Sequence, residues 1–231
     1  MATFVLIHGA GDGAWNWHLV EAALRVGGHD VVAVDLPTDE SAGLGECADA
    51  VVAAIGERRN LVVVAHSFGG FVAPLVCERS PAEALVLLAA MVPAPGEAPR
   101  DWWDNTGLSA ARSETGLDRH DQYATYYHDV PADLAAEAIS RERGFPSTRS
   151  YVEPWQLAAW PNVPTHYLLC RDDHFLPAAW ARRLARERLG IIAEEIDGGH
   201  CVMLSRPTEL ARQLASYTNG RPSVDGMMAT S

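Results

Sequence analysis

Six short apolar runs, each continuous rather than alternating, constrain the fold of this chain more than any other feature. They lie at Thr3–His8, Asp30–Asp35, Leu61–His66, Ala84–Leu88, Pro164–Cys170 and Ile191–Ile196. Runs of Val, Ile and Leu with no polar face suit strands covered on both sides, and such strands alternating with helices build a mostly parallel sheet. Leu19–Val26, closed by Gly27 and Gly28, and Ala48–Ile55 read as intervening helices. Ser205, ahead of Arg206, Pro207, Thr208 and Glu209, reads as the N-cap of a last helix running to about Tyr217. The expected class is α/β, a mostly parallel sheet flanked by helices.

The alternation breaks between Val92 and Trp160, a stretch rich in helix formers, prolines and aromatics. It reads as a helical lid, leaving 1–91 and 161–218 as the core and 219–231, which lacks periodicity, as a flexible tail. Half of the chain's aromatic side chains fall in this stretch. They suit either the small core of a helical flap or the wall of an apolar pocket, and the cluster as a whole favours the pocket. Trp102, Trp103, Tyr126 and Trp155 are the substrate-binding candidates.

Charge and composition narrow the chemistry. Thirty acidic side chains against eighteen basic ones give a net charge of −12, which repels phosphate backbones, so no nucleic acid partner is expected. Every basic residue is arginine and none is lysine, which removes Schiff-base chemistry and a P-loop lysine together. Cys47, Cys77, Cys170 and Cys201 are scattered, and the histidines show no ligand spacing; neither a disulfide framework nor a metal site is expected. The start, MATFVLIHG, has no basic segment before its apolar run, and no stretch approaches the roughly 20 apolar residues of a membrane span. The expectation is a cytoplasmic protein without membrane attachment; a homodimer is compatible with the sequence.

The segment LVVVAHSFGG, Leu61–Gly70, places Ser67 directly after a buried strand and ahead of the apolar helical run Phe71–Cys77. This approximates the GxSxG nucleophile elbow, a sharp strand-to-helix turn that lifts a hydroxyl above the sheet, with Ala65 in place of the first glycine. Three other strands end in chemically useful residues: His8-Gly9-Ala10-Gly11, Arg171-Asp172-Asp173, and Asp197-Gly198-Gly199-His200. The carboxyl ends of parallel strands share one crevice, so these loops are expected to meet. Serine, carboxylate, histidine is the chain order of a nucleophile, an orienting acid and a base. The serine needs a base, His200, and the base needs a carboxylate on its other ring nitrogen; Asp172 and Asp173 both qualify. Backbone N–H groups of Ala10 and Phe68 are the candidate oxyanion hole. His66 reads as structural, His174 as a pocket-rim or surface residue, and Asp35 as a loop-orienting group. Arg182, Arg183, Arg186 and Arg188 read as one solvated helix face.

With FVLIHGAGDGAWNW, AHSFGG, LLAAMVPAPGEAP, LLCRDDHFLP and GHCVMLSRPTEL in that order, the sequence resembles the α/β-hydrolase fold enzymes, in the esterase and hydroxynitrile lyase branch that includes plant methyl esterases. The resemblance implies the α/β-hydrolase fold with a lid, no cofactor, and Asp173 rather than Asp172 as the triad acid, four residues before the proline of DxxxP. Lyases of that branch carry a threonine where Gly9 stands and a lysine where Cys201 stands, which favours hydrolysis over cyanide elimination. The expected function is a serine hydrolase acting on a small, largely apolar ester. A cofactor-free lyase or carbon–carbon bond hydrolase, and a non-catalytic small-molecule receptor, are the alternatives.

Overall fold

Phe4, Val5, Leu6 and Ile7 are fully buried because β1 (Thr3–Ile7) is paired on both edges, in parallel, with β2 (Asp30–Val34) and β3 (Leu61–His66). The sheet continues in parallel through β4 (Ala82–Leu88), β5 (Thr165–Cys170) and β6 (Glu194–Ile196), in the order β2-β1-β3-β4-β5-β6. The chain steps outward in opposite directions from β1 and β3, so their carboxyl ends border the topological switch point where open α/β sheets bind ligands. The computed structural model describes residues 1–114, 116, 118 and 120–219, so the expected tail beyond 219 lies outside the described residues.

Helices cover the sheet. α1 (His18–Val26) packs on the long C-terminal helix, and α2 (Leu44–Ile55) packs on α3 (Ala73–Arg79). α1 stops where the sequence places a stop: Gly27 caps it and Gly28 takes φ 82°. α2 starts earlier than expected because Gly43 caps it and donates its N–H to the Glu46 side chain at 3.0 Å. Between β4 and β5 the crossover contains α4 (Pro99–Asn105), α5 (Leu108–Ser113), a π-type turn at Tyr123–Tyr127, α6 (Ala132–Ser140) and α7 (Thr148–Val152). α8 (Ala178–Leu189) follows β5; α9 (Val202–Ser205) and α10 (Pro207–Ser216) end the fold.

The structure corrects four readings. Ile191–Ala193 are outside β6, in the connection from the preceding helix, where Ile192 is 80% exposed because no element packs over it. The cap of α10 is Arg206, not Ser205, which ends α9 with its hydroxyl buried. The segment after Ser67 is not one helix: a 3₁₀ turn, Ser67–Phe71, precedes α3. Arg188 is not solvated. It makes two 2.9 Å bonds to the buried Glu97 carboxylate, while Arg182 and Arg186 stay exposed.

Candidate active site

Ser67 sits at the end of β3 with φ 51°, a left-handed conformation that costs a non-glycine residue of order 1–3 kcal/mol and persists only where its surroundings impose it. The surroundings here are backbone. Met91 donates its N–H to the Ser67 carbonyl at 2.8 Å. A Cβ on Gly69 would meet the His8 carbonyl at 2.9 Å, and one on Gly70 the Met91 carbonyl at 1.9 Å. Those two glycines let strand, turn and helix close on the serine. Ala65, in the place of the motif's first glycine, is buried within the sheet, and its methyl group is accommodated there.

The loop after β5 presents Asp173, buried, and Asp172, exposed. Asp173 Oδ2 lies 2.8 Å from His200 Nδ1, and Oδ1 accepts the N–H groups of Phe175 at 2.7 Å and Leu176 at 2.9 Å. With Nδ1–H donating to the acid, the imidazole's Nε2 carries a lone pair. The loop bearing His200 is held from a third element: Asp129 Oδ2 accepts the Gly199 N–H at 2.8 Å. Asp129 was not legible as a site residue, because nothing in its sequence neighbourhood marks it as reaching a loop 70 positions away.

Ser67 and His200 face one cavity of about 280 Å³, and Ala10 and Phe68 line the same space. The glycine loop after β1 is pinned to the crossover: Gly11 donates to the Phe145 carbonyl at 2.9 Å and receives the Arg143 N–H at 2.8 Å. A Cβ on Gly9 would lie 2.9 Å from the Ser67 Cβ, so a larger residue there crowds the serine itself. Of the expected substrate-binding aromatics, Trp103 and Tyr126 line the cavity. Trp102 and Trp155 do not; they are buried and spend their indole N–H groups on the carbonyls of Val92 and Phe71, at 3.0 and 3.1 Å. Phe145, Phe175 and Tyr127 line it instead. The π-type turn carries Tyr126 and Tyr127 to the wall, and Phe175 packs 4.8 Å from the His200 ring.

Other polar groups take the roles their environment allows. Asp35 accepts the Ala14 N–H at 2.8 Å and so orients the loop after β1. His174 stacks on His128 at 3.8 Å and bonds the Ala124 carbonyl at 2.7 Å, tying the β5 loop to the π-type turn. Burial pushes the thiols of Cys170 and Cys201 far above their ordinary range, which keeps both protonated and unreactive. Among the described residues, no group of three histidine, cysteine or acidic side chains is placed to hold a metal ion, and no helix is long and apolar enough to cross a membrane. Sequence reasoning also passed over Asp12, the single carboxylate of the glycine loop, which lines the cavity 3.4 Å from His66.

Comparison with known proteins agrees with this architecture. Norfluorocurarine synthase 2 of a Strychnos species is 27% identical, across 93% of this chain and 94% of that protein. Esterase PIR7B of Oryza sativa subsp. japonica is 29% identical, across 94% and 95%. The solved structure of polyneuridine aldehyde esterase superposes with a TM-score of 0.78 at 20% identity, covering 95% of this chain and 100% of that one. Residues 4–213 match the alpha/beta hydrolase family along nearly the whole fold, and the chain belongs to that family.

Proposed function

We propose that the protein is a serine hydrolase that cleaves a small, largely apolar carboxylic ester through an acyl-serine intermediate. The observation that carries this reading is the 2.8 Å contact between His200 Nδ1 and Asp173, on an imidazole that shares its cavity with the hydroxyl of Ser67. His200 Nε2 takes the Ser67 proton as the oxygen attacks the ester carbonyl, then returns it to the departing alcohol; water repeats the cycle on the acyl-serine. Asp173 holds the tautomer and balances the imidazolium. The N–H groups of Ala10 and Phe68 meet the developing oxyanion, a contribution of roughly 3–4 kcal/mol per donor in the transition state. Residues 92–160 form the lid, and Trp103, Tyr126 and Phe175 give the acyl or alcohol group an apolar wall. The relatives named esterases support the ester as the bond cleaved.

The test is direct. Ser67→Ala loses ester turnover by roughly four orders of magnitude or more while its unfolding midpoint stays within a few degrees of wild type. Undiminished turnover of p-nitrophenyl esters in that variant would sink the nucleophile assignment. One observation favours a second reading, a cofactor-free lyase or carbon–carbon bond hydrolase on the same residues: the similarity to proteins named synthases rather than esterases. A β-diketone turned over faster than any ester of a graded panel would select it.

A further inference from the structure

His66 stands one residue before Ser67 and is 1% exposed, its ring 4.5 Å from that of His200 and edge-on to Trp17 at 6.4 Å. Its Nε2 lies 3.0 Å from the backbone carbonyl of His200. A carbonyl oxygen only accepts, so Nε2 carries the hydrogen. In a neutral imidazole Nδ1 is then a bare lone pair, and among the described residues no hydrogen-bond donor reaches it. What faces it, at 3.4 Å, is Oδ2 of Asp12, an 8% exposed carboxyl whose Oδ1 accepts the Asn16 side-chain amide at 2.8 Å.

An ionised carboxylate and a lone pair are both acceptors, and two largely buried acceptors facing each other repel strongly. One proton between them turns the repulsion into a charge-assisted bond, with only a few tenths of an ångström to close. His8, at the end of the adjacent strand β1, shows the contrast. Its Nδ1–H donates to the Gly9 carbonyl at 2.8 Å and its Nε2 accepts the Leu36 N–H at 3.0 Å, so both nitrogens are satisfied without an added proton. Gly9 makes the Asp12–His66 contact possible: a Cβ there would lie 3.0 Å from Nδ1 and 3.2 Å from Oδ2.

We propose that Asp12 and His66 hold one proton between them at neutral pH, and that the pair is a positioning device for His200, fixing its backbone through the Nε2–H bond to its carbonyl. The shared proton stands on the geometry alone; the positioning role rests on the reading of His200 as the general base. Burial, the largest influence, and the neighbouring His200 lower the pKa of His66 below its ordinary value, and Asp12 and, farther off, Asp173 offset this only in part, so the shared proton rests on the contact and not on the affinity of the ring alone. Asp12 is the carboxyl in contact with the ring, so the proposed proton lies along the line from Nδ1 to Oδ2. The backbone of His200 is thus held on both sides, by Asp129 at Gly199 and by His66 at residue 200 itself.

The experiment is long-range proton–nitrogen NMR of the intact protein labelled with ¹⁵N-histidine, paired with ester kinetics, on wild type, Asp12→Ala and Asp12→Asn. In wild type near pH 7, His66 Nε2 is protonated and Nδ1 is shifted away from the bare lone-pair position; in Asp12→Ala, Nδ1 moves to that position. kcat of Asp12→Ala falls roughly tenfold with KM within about twofold, the size expected when a reacting group is slightly misplaced. Asp12→Asn, whose amide N–H can donate to Nδ1, recovers to within about threefold of wild type. A bare Nδ1 in wild type overturns the shared proton. An unchanged kcat in Asp12→Ala overturns the positioning role, and so does a fall in Asp12→Asn as deep as in Asp12→Ala, which would assign the loss to charge. Absence of any ester turnover in wild type sinks the hydrolase reading and the positioning role with it, while the spectra still decide the proton.

Discussion

Three buried histidines, His8, His66 and His200, crowd one end of the sheet, and each has different hydrogen-bond partners. His8 is held as a neutral ring, because protonating Nε2 would set a second donor against the Leu36 N–H it now accepts. Burial accordingly pushes its pKa below the ordinary 6.5. The sign follows from linkage: below about 6.5 the unfolded chain takes up a proton that the folded protein refuses. Stability is therefore intact above that pH and declines as pH falls toward the lowered folded value. Thermal midpoints measured from about pH 7.5 to about pH 5.5 should fall more steeply for wild type than for His8→Gln, which has no ring to titrate; parallel slopes would count against the assignment. Ser67 and His200 were legible from sequence at this scale because the elbow and the chain order each impose a residue type. Asp12 and Asp129 were not, because their roles depend on loops that meet only after folding.

At the scale of elements, the turn after β3 concentrates the tightest packing of the site. Gly70 has no room for a methyl group, since the atom it would meet, the Met91 carbonyl, belongs to backbone that also holds Ser67. Gly70→Ala should cost about 3 kcal/mol or more, or prevent folding, as overpacking against immovable backbone does. Gly144, with nothing within 4 Å of a built Cβ, is the control: Gly144→Ala should stay within about 0.5 kcal/mol in urea unfolding. Equal midpoints for the two variants would refute the clamp. The same contrast explains which strands could be read in advance. β1 and β3 are paired on both edges and buried throughout, so their runs had to be continuously apolar. β6 is three residues at a margin, where apolar sequence and strand geometry part company, as exposed Ile192 shows. In the crossover, aromatic content announced a pocket but not which rings line it. That depends on how each short helix is rotated: adjacent Trp102 and Trp103 end up in the core and on the cavity wall.

For the molecule as a whole, the question is what couples the crossover to the sheet, since the cavity lies between them. One tie is electrostatic and enclosed. Glu97, at the entrance to the crossover, accepts Arg188 of α8 through both oxygens at 2.9 Å, the Asn105 amide at 2.8 Å and the Ala94 N–H at 3.0 Å. The acid is buried and the arginine side chain is 18% exposed, so the pair is little screened by solvent and its carboxylate is fully satisfied. Arg188→Met leaves that carboxylate buried without its counter-charge, an imbalance worth roughly 3–5 kcal/mol. In a chain of this size that is about 6–20 °C in the unfolding midpoint. Adding Glu97→Gln removes the orphaned charge, so the double variant should regain much of the loss. Arg182→Met, on the same helix, breaks an exposed pair with Glu195 of β6 and should change stability by less than about 1 kcal/mol. Calorimetry of the four proteins separates the possibilities. If Arg188→Met is as mild as Arg182→Met, or if the double variant is no better than the single one, the pair contributes nothing measurable and the crossover is held by its apolar contacts and its other hydrogen bonds.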